Sequence, residues 1–151
     1  MPGVSCGTAQ LNLSGSFRTL RSHTKDDKLE HGFFVFQLGQ LLEPGDEVSG
    51  TRNGIDVLEP TDRRPVGIVH THPGGNPKPS RQDVQVYTDF QLDFGCIVTA
   101  ESNCCDFLHM TDPERKELAA VIGKTRSYAE AERILDDYRR RGKISRCCTP
   151  A

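Results

Sequence analysis

Short apolar runs alternate with polar, turn-forming segments along this chain, and their lengths predict a mixed α/β fold. From Thr8 to Leu13 the apolar residues Ala9, Leu11 and Leu13 alternate with polar ones, the period of a half-buried strand, which predicts an edge strand there. Ser16 to Leu29 is polar. Gly32 to Leu38 is a continuous apolar run, the signature of a strand buried on both faces. Glu43-Pro44-Gly45-Asp46 reads as a turn into a strand near Glu47 to Thr51, and Arg52-Asn53-Gly54-Ile55 as a hairpin, with Ile55 to Leu58 continuing as strand. Val66 to Val69 is a further strand. Ser80 to Phe94 has mainly helical spacing and is expected to end at Gly95 as a C-cap. Cys96 to Thr99 and Cys105 to Met110 read as strands joined across Glu101-Ser102-Asn103. Two helices close the chain, near Asp112 to Ile122 with Pro113 at its first turn and near Ser127 to Arg141. The fold class expected is α/β, a mixed and partly antiparallel sheet flanked by helices.

Composition narrows the function classes. A chain of 151 residues, 35% hydrophobic and 26% charged, is expected to form one domain, residues 1–151, with 142–151 as a flexible tail. A formal net charge of −2 lacks the basic footprint of a nucleic-acid binder. No apolar run approaches the roughly 18 residues of a membrane span, and the opening residues Met1 to Cys6 form no signal-peptide core. A cytoplasmic protein is expected. Its six cysteines are then expected as reduced thiols, Cys96 as a small buried hydrophobe and Cys147-Cys148 in the frayed tail. Neither cysteine doublet has the CxxC spacing of structural zinc.

The chemistry concentrates in GIVHTHPGGNPKPSRQD. In an extended strand residues i and i+2 share a face, so His70 and His72 aim two imidazoles at one point. Two imidazoles and the Asp83 carboxylate suit a catalytic Zn²⁺, which keeps one position open for water. Ser80 and Asp83 also satisfy a purely structural pattern, an N-cap with an acidic residue in the first turn. His109 has no partner in the motif and is left out of the site. The last helix ends in Arg139-Arg140-Arg141, which the helix dipole accounts for; a docking surface for an acidic partner is the functional alternative.

HTHP, then seven residues counted from Pro73, Ser80, two residues and Asp83 meet the HxHx7SxxD spacing and resemble the JAMM motif of the JAB/MPN+ zinc metalloproteases. That resemblance covers nearly the whole chain. It implies a JAB/MPN, cytidine-deaminase-like architecture, one Zn²⁺ per chain held by His70, His72 and Asp83, a general-base glutamate upstream, and Ser80 as donor to the tetrahedral oxyanion. Glu30, at the opening of the apolar run Gly32 to Leu38, fits the glutamate; Glu43 and Glu47 flank a turn, and Glu59 stands in a loop. The family places its first helix where Ser16 to Leu29 stands, and Arg18, Arg21, Lys25, Asp26, Asp27 and Lys28 make that helix short or irregular, a departure from the pattern. The short chain looks like a small prokaryotic member.

The resemblance implies hydrolysis of an amide bond after the tail of a ubiquitin or ubiquitin-like modifier, with that modifier or its conjugates as substrate partner and a partner protein or homodimer as an option. HPGGNPKPSRQD is also similar to a stretch of RadC-type JAB proteins linked to DNA repair, although Thr71 stands where that group usually has Asn. A metal-free MPN scaffold and a peptidase acting on small amides complete the alternatives.

Overall fold

The structure, a computed structural model, describes residues 4–52, 54 and 63–151. Asn53 and Ile55 of the expected hairpin and the strand Ile55 to Leu58 therefore fall outside the described residues. The element order is α1 (Cys6–Asp27), β1 (His31–Leu38), β2 (Leu41–Pro44), β3 (Val48–Ser49), β4 (Gly67–Thr71), α2 (Arg81–Asp89), β5 (Phe94–Val98), β6 (Ser102–Leu108), α3 (Asp112–Gly123), α4 (Tyr128–Arg140) and β7 (Ile144–Pro150). One mixed sheet runs β2-β1-β4-β5-β6-β7, with β3 also paired to β1. The β4 and β5 pair is parallel and α2 is its crossover; the other pairs are antiparallel. The expected α/β class with a mixed sheet flanked by helices is what the chain adopts.

Helices cover both faces. Ala9, Leu13, Phe17 and Leu20 of α1 pack with Phe33, Val35, Val69, Val98 and Phe107 on one face. On the other, Phe34, Phe36 and Ile68 meet Tyr87 and Leu92, while Val84 joins Leu118, Ile122, Leu135 and Tyr138 of the last two helices. Alternation along β1 and β4 assigns the faces: odd-numbered side chains of both strands point to α1 and even-numbered ones to α2.

The N-terminal expectations are corrected. Thr8 to Leu13 is not an edge strand, and the helix expected to be short or irregular within Ser16 to Leu29 is neither; residues 8–13 and 16–27 lie in α1, one helix of 22 residues. Its buried positions, Ala9, Leu13, Phe17, Leu20 and Thr24, recur every three or four residues, while Leu11 is 84% exposed. The six-residue alternation was thus one turn and a half of a helical stripe. The charges crowd the solvent side, where they do not oppose the helix. Ser5 caps the start by accepting the Thr8 amide, and Lys28, at φ 63°, ends it.

Gly95 does not cap α2. That helix ends at Asp89, Gln91 turns the chain at φ 53°, and Phe94 already opens β5. A Cβ on Gly95 would sit 2.2 Å from the Tyr87 ring, so the glycine is there for the close approach of helix to strand.

The C-terminal expectations are corrected too. Residues 144–150 form β7, paired with β6 along its full length from Leu108↔Ile144 to Ser102↔Pro150. This pairing, with the register Cys96↔Cys105 in the neighbouring pair, sets cysteines opposite one another. Three disulfides result, Cys6–Cys147, Cys96–Cys105 and Cys104–Cys148, and no free cysteine. The thiol expectation rested on a cytoplasmic setting, with Cys147 and Cys148 placed in a frayed tail, whereas a strand supplies these two with neighbours. Bridged cysteines also remove one argument for a cytoplasmic setting, where thiols are kept reduced. Among the described residues no helix is long and apolar enough to cross a membrane.

The register Gly32↔His70 holds the strands together at a point where side chains leave no room: a Cβ on Gly32 would lie 2.7 Å from the Val69 carbonyl oxygen and 3.0 Å from the His70 Cβ. Gly32→Ala should lower the unfolding free energy by about 1–3 kcal/mol, read from urea midpoints, because backbone cannot yield as a flexible side chain would. Titration of the unfolded, unreduced protein should find no free thiol; six free thiols would restore the reduced reading.

Candidate metal centre

The site is built at the carboxyl end of β4, where the parallel β4–α2–β5 unit leaves its crevice. His70 lies in β4 and points to the α2 face; His72 follows the strand and continues its pairing, its amide donating to the Val98 carbonyl at 3.1 Å. Residues 73–79 then return the chain to α2. Gly75 takes φ 84° in this loop, and the Asn76 side chain accepts the Lys78 amide.

Ser80 and Asp83 form a complete capping box: the Asp83 amide donates to Ser80 Oγ at 3.1 Å and the Ser80 amide to Asp83 Oδ2 at 2.8 Å. The structural and the chemical readings of these residues are therefore one arrangement, since the box fixes the carboxylate that faces the histidines. Asp83 Oδ1 lies 3.1 Å from His70 Nε2, and Asp83 Oδ2 lies 3.2 Å from His72 Nε2. The two Nε2 atoms are 3.0 Å apart.

The donor set fits a Zn²⁺ ion. Ligand atoms about 2.0–2.2 Å from a tetrahedral ion stand roughly 3.3 Å from one another, close to the spacing of these three groups. His72 Nδ1 is 2.7 Å from the Asn76 carbonyl oxygen, to which it donates, so its Nε2 carries the lone pair. His70 Nδ1 is buried without a hydrogen-bond partner, which leaves the Nε2 side to set that ring's tautomer.

Glu30 stands just before β1, 5% exposed, with a carboxylate oxygen within 4.8 Å of the ligand nitrogens of both His70 and His72. Its backbone is held on both sides, the Glu30 amide donating to Thr51 and the Gly50 amide to Glu30. Behind it, Thr71 Oγ1 accepts the His31 amide and bonds Thr24 Oγ1 at 2.6 Å, which ties β1, β4 and α1 together beside the site.

The charges are unequal in kind. Burial raises the Glu30 carboxyl above its ordinary range against the pull of His70 and His72. Asp83 meets the same burial, but His70 and His72 outweigh it and hold the carboxyl well below the ordinary range. His70 is raised: burial opposes its charged form, and Asp83 and Glu30 overcome that. One carboxylate is thus suited to stay ionised as a ligand and the other to take a proton.

A cleft of about 490 Å³ opens over these groups, lined by Glu30, His72 and Asp83 with Arg52, Asn76 and Tyr128. Tyr128 was not found by sequence reasoning. It lines the cleft beside Ser80, and partial burial followed by the Asp83 charge raises its hydroxyl. The available signal was an aromatic at the first position of the helix, directly after its N-cap Ser127. His109 bonds Ser145 at 2.8 Å and takes no part in the site. The basic end of α4 is engaged locally: Arg139 reaches Asp106, Glu132 and Asp136, and Arg140 and Arg141 reach Asp137.

A family model described as prokaryotic homologs of the JAB domain matches residues 16–130. No curated protein matches the chain. The matched span contains Glu30, His70, His72, Ser80 and Asp83.

Elemental analysis should find about one zinc in this site in the wild type, and His70→Ala and Asp83→Ala should each lose it. In zinc-free protein the Asp83–His70 pair has a defined pH window. The lowered Asp83 contributes stability above about pH 4 that is lost as pH falls through its folded value. The raised His70 contributes below about pH 6.5 and loses that contribution as pH rises through its folded value. The stability gap between zinc-free wild type and Asp83→Asn should therefore be widest between about pH 4 and 6.5 in urea titrations; a gap that grows steadily to pH 9 would contradict the pairing.

Proposed function

The chain belongs to the family of prokaryotic JAB-domain homologs, and on that premise we propose that it is a zinc-dependent isopeptidase or peptidase. Its substrate would be the amide bond that follows the C-terminal tail of a ubiquitin-like modifier. The observation that carries this reading is the convergence of His70 Nε2, His72 Nε2 and both Asp83 oxygens within 3.0–3.2 Å, with the Glu30 carboxylate beside them.

His70, His72 and Asp83 would hold the ion. A bound Zn²⁺ supplies Lewis acidity and lowers the pKa of water to about 7. Glu30, whose carboxyl burial raises above its ordinary value, accepts the proton of the attacking water. As the new C–O bond forms and the C–N bond breaks, Glu30 returns that proton to the leaving amine. Ser80 Oγ accepts the Asp83 amide through its lone pairs, which leaves its hydroxyl hydrogen for the substrate carbonyl oxygen as negative charge develops.

An extended tail suits the cleft. Its walls mix polar and apolar surface and it is open to solvent, and small residues beside the scissile bond would let the backbone approach His72 and Asp83 closely. Arg52 and Tyr128 also line the cleft, and their side chains would bond the backbone of such a tail.

With a ubiquitin-like protein fused to a reporter through its C-terminal tail, the zinc-loaded wild type should cleave at the junction. Glu30→Gln should keep its zinc and lose about 10²–10⁴-fold in kcat, and an active Glu30→Gln would move the base elsewhere. Ser80→Ala should lose roughly 10²–10³-fold in kcat with the metal retained.

A further inference from the structure

On the opposite face of β1 from Glu30 lies a second set of metal-ligating side chains that the hydrolytic reading does not use. His23 from the last turns of α1, His31 from β1 and Glu47 from the segment before β3 bring their ligand atoms within 4.8 Å of one another. Both imidazoles aim the same nitrogen at one oxygen: Glu47 Oε2 is 2.6 Å from His23 Nδ1 and 3.0 Å from His31 Nδ1. The two rings are tilted, with centroids 5.5 Å apart.

The other side of His31 gives these contacts their meaning. His31 Nε2 lies 2.8 Å from Asp27 Oδ2, on the end of α1. A carboxylate there is the device by which metal-binding histidines keep the ring proton on the far nitrogen, and with a metal bound it would leave Nδ1 with a lone pair for the ion. His31 is 6% exposed, so its ring cannot turn to find another partner. A neutral His31 would then face Glu47 acceptor to acceptor, and His23 Nδ1 converges on the same oxygen. A cation among these three atoms satisfies all of them at once.

We infer that His23, His31 and Glu47 form a second divalent-cation site, with Asp27 orienting His31 behind it. Two imidazole nitrogens and one carboxylate oxygen favour Zn²⁺ and its neighbours Co²⁺ and Ni²⁺ over Mg²⁺ or Ca²⁺, which take oxygen ligands. The His23 side chain is 46% exposed and that of Glu47 30% exposed, so solvent can deliver the ion and complete its coordination. The site is a clip on the catalytic strand. It joins the end of α1, the start of β1 and the segment running from Glu47 to Thr51, whose Gly50 and Thr51 hold the Glu30 backbone. An ion there would fasten Glu30 from behind without touching the substrate cleft. The inference does not depend on the hydrolytic reading, because it concerns other residues on another face.

Metal-stripped protein loaded with Co²⁺ tests it, with bound cobalt counted by elemental analysis after desalting and its visible absorption recorded. Wild type should hold two ions, His23→Ala one, His72→Ala one, and the double variant none. Glu47→Gln, a conservative change at the surface, should weaken the second site at least about tenfold and leave the first intact. In His72→Ala, Co²⁺ should raise the thermal midpoint, and in the double variant it should not. If wild type and His23→Ala hold the same number of ions with the same spectrum, or Glu47→Gln changes neither, the inference fails and the cluster is an imidazolium paired with Asp27 and Glu47. Failure of the first site alone reads differently: wild type one, His72→Ala one, His23→Ala none.

Discussion

The antiparallel register of β1 against β4 is the constraint on which the rest of this molecule depends. Gly32 pairs with His70, and Glu30 and His72 lie just beyond that last pair, with ligand atoms within 4.8 Å of each other. A one-residue slip would turn every side chain of β1 to the opposite face, sending Glu30 toward α1 and His31 into the cleft. The apolar pattern forbids that slip. Phe33 and Val35 belong to the core under α1, while Phe34 and Phe36 belong to the core under α2, so both faces specify the register. The absence of a side chain at Gly32 allows the strands to approach. Site geometry is thus a by-product of burying two unlike apolar faces.

A second layer of positioning surrounds the ligand loop. The capping box makes Asp83 part of the helix start, so the carboxylate is fixed by the same bonds that terminate α2. From the other side, Arg146 of β7 donates to the Pro77 carbonyl and pairs with Asp106 at 3.1 Å, and Arg139 of α4 pairs with the same Asp106. Asp106 is buried, and burial pushes its carboxyl up against the pull of the two arginines. Removing both arginines would leave the buried carboxylate without compensation, a far larger effect than losing a surface ion pair. The C-terminal strand therefore supports the loop that precedes Ser80.

The same strand explains the cysteines. Cys147 lies opposite Cys105 in the ladder yet bridges to Cys6 at the start of α1, while Cys105 bridges to Cys96. The Cys6–Cys147 bridge closes a loop of 141 residues of sequence separation, the kind of cross-link that constrains an unfolded chain most, by about 2–5 kcal/mol. Both ends of the chain are thereby fastened to the sheet that carries the site.

The sequence by itself determined what depends on near neighbours. His70, His72, Ser80 and Asp83 were legible because strand alternation and the first turn of a helix fix their relative directions within fourteen residues of chain. Glu30 was legible as the opening of an apolar run, and most strands and the later helices followed from their periods. What the tertiary structure decided involves partners far apart in sequence. A stretch such as Thr8 to Leu13 satisfies both periods until packing shows which residues are buried, and Leu11 in solvent chose the helix. Residues 144–150 have no strong pattern of their own and become a strand because β6 offers an unpaired edge. Tyr128 joins Ser80 in lining the cleft, and His23, His31 and Glu47 meet, only once α1, α4 and the sheet are in place. Local periodicity is written in the order of residues, whereas edge pairing and side-chain convergence depend on which surfaces are left to bury after the local elements form.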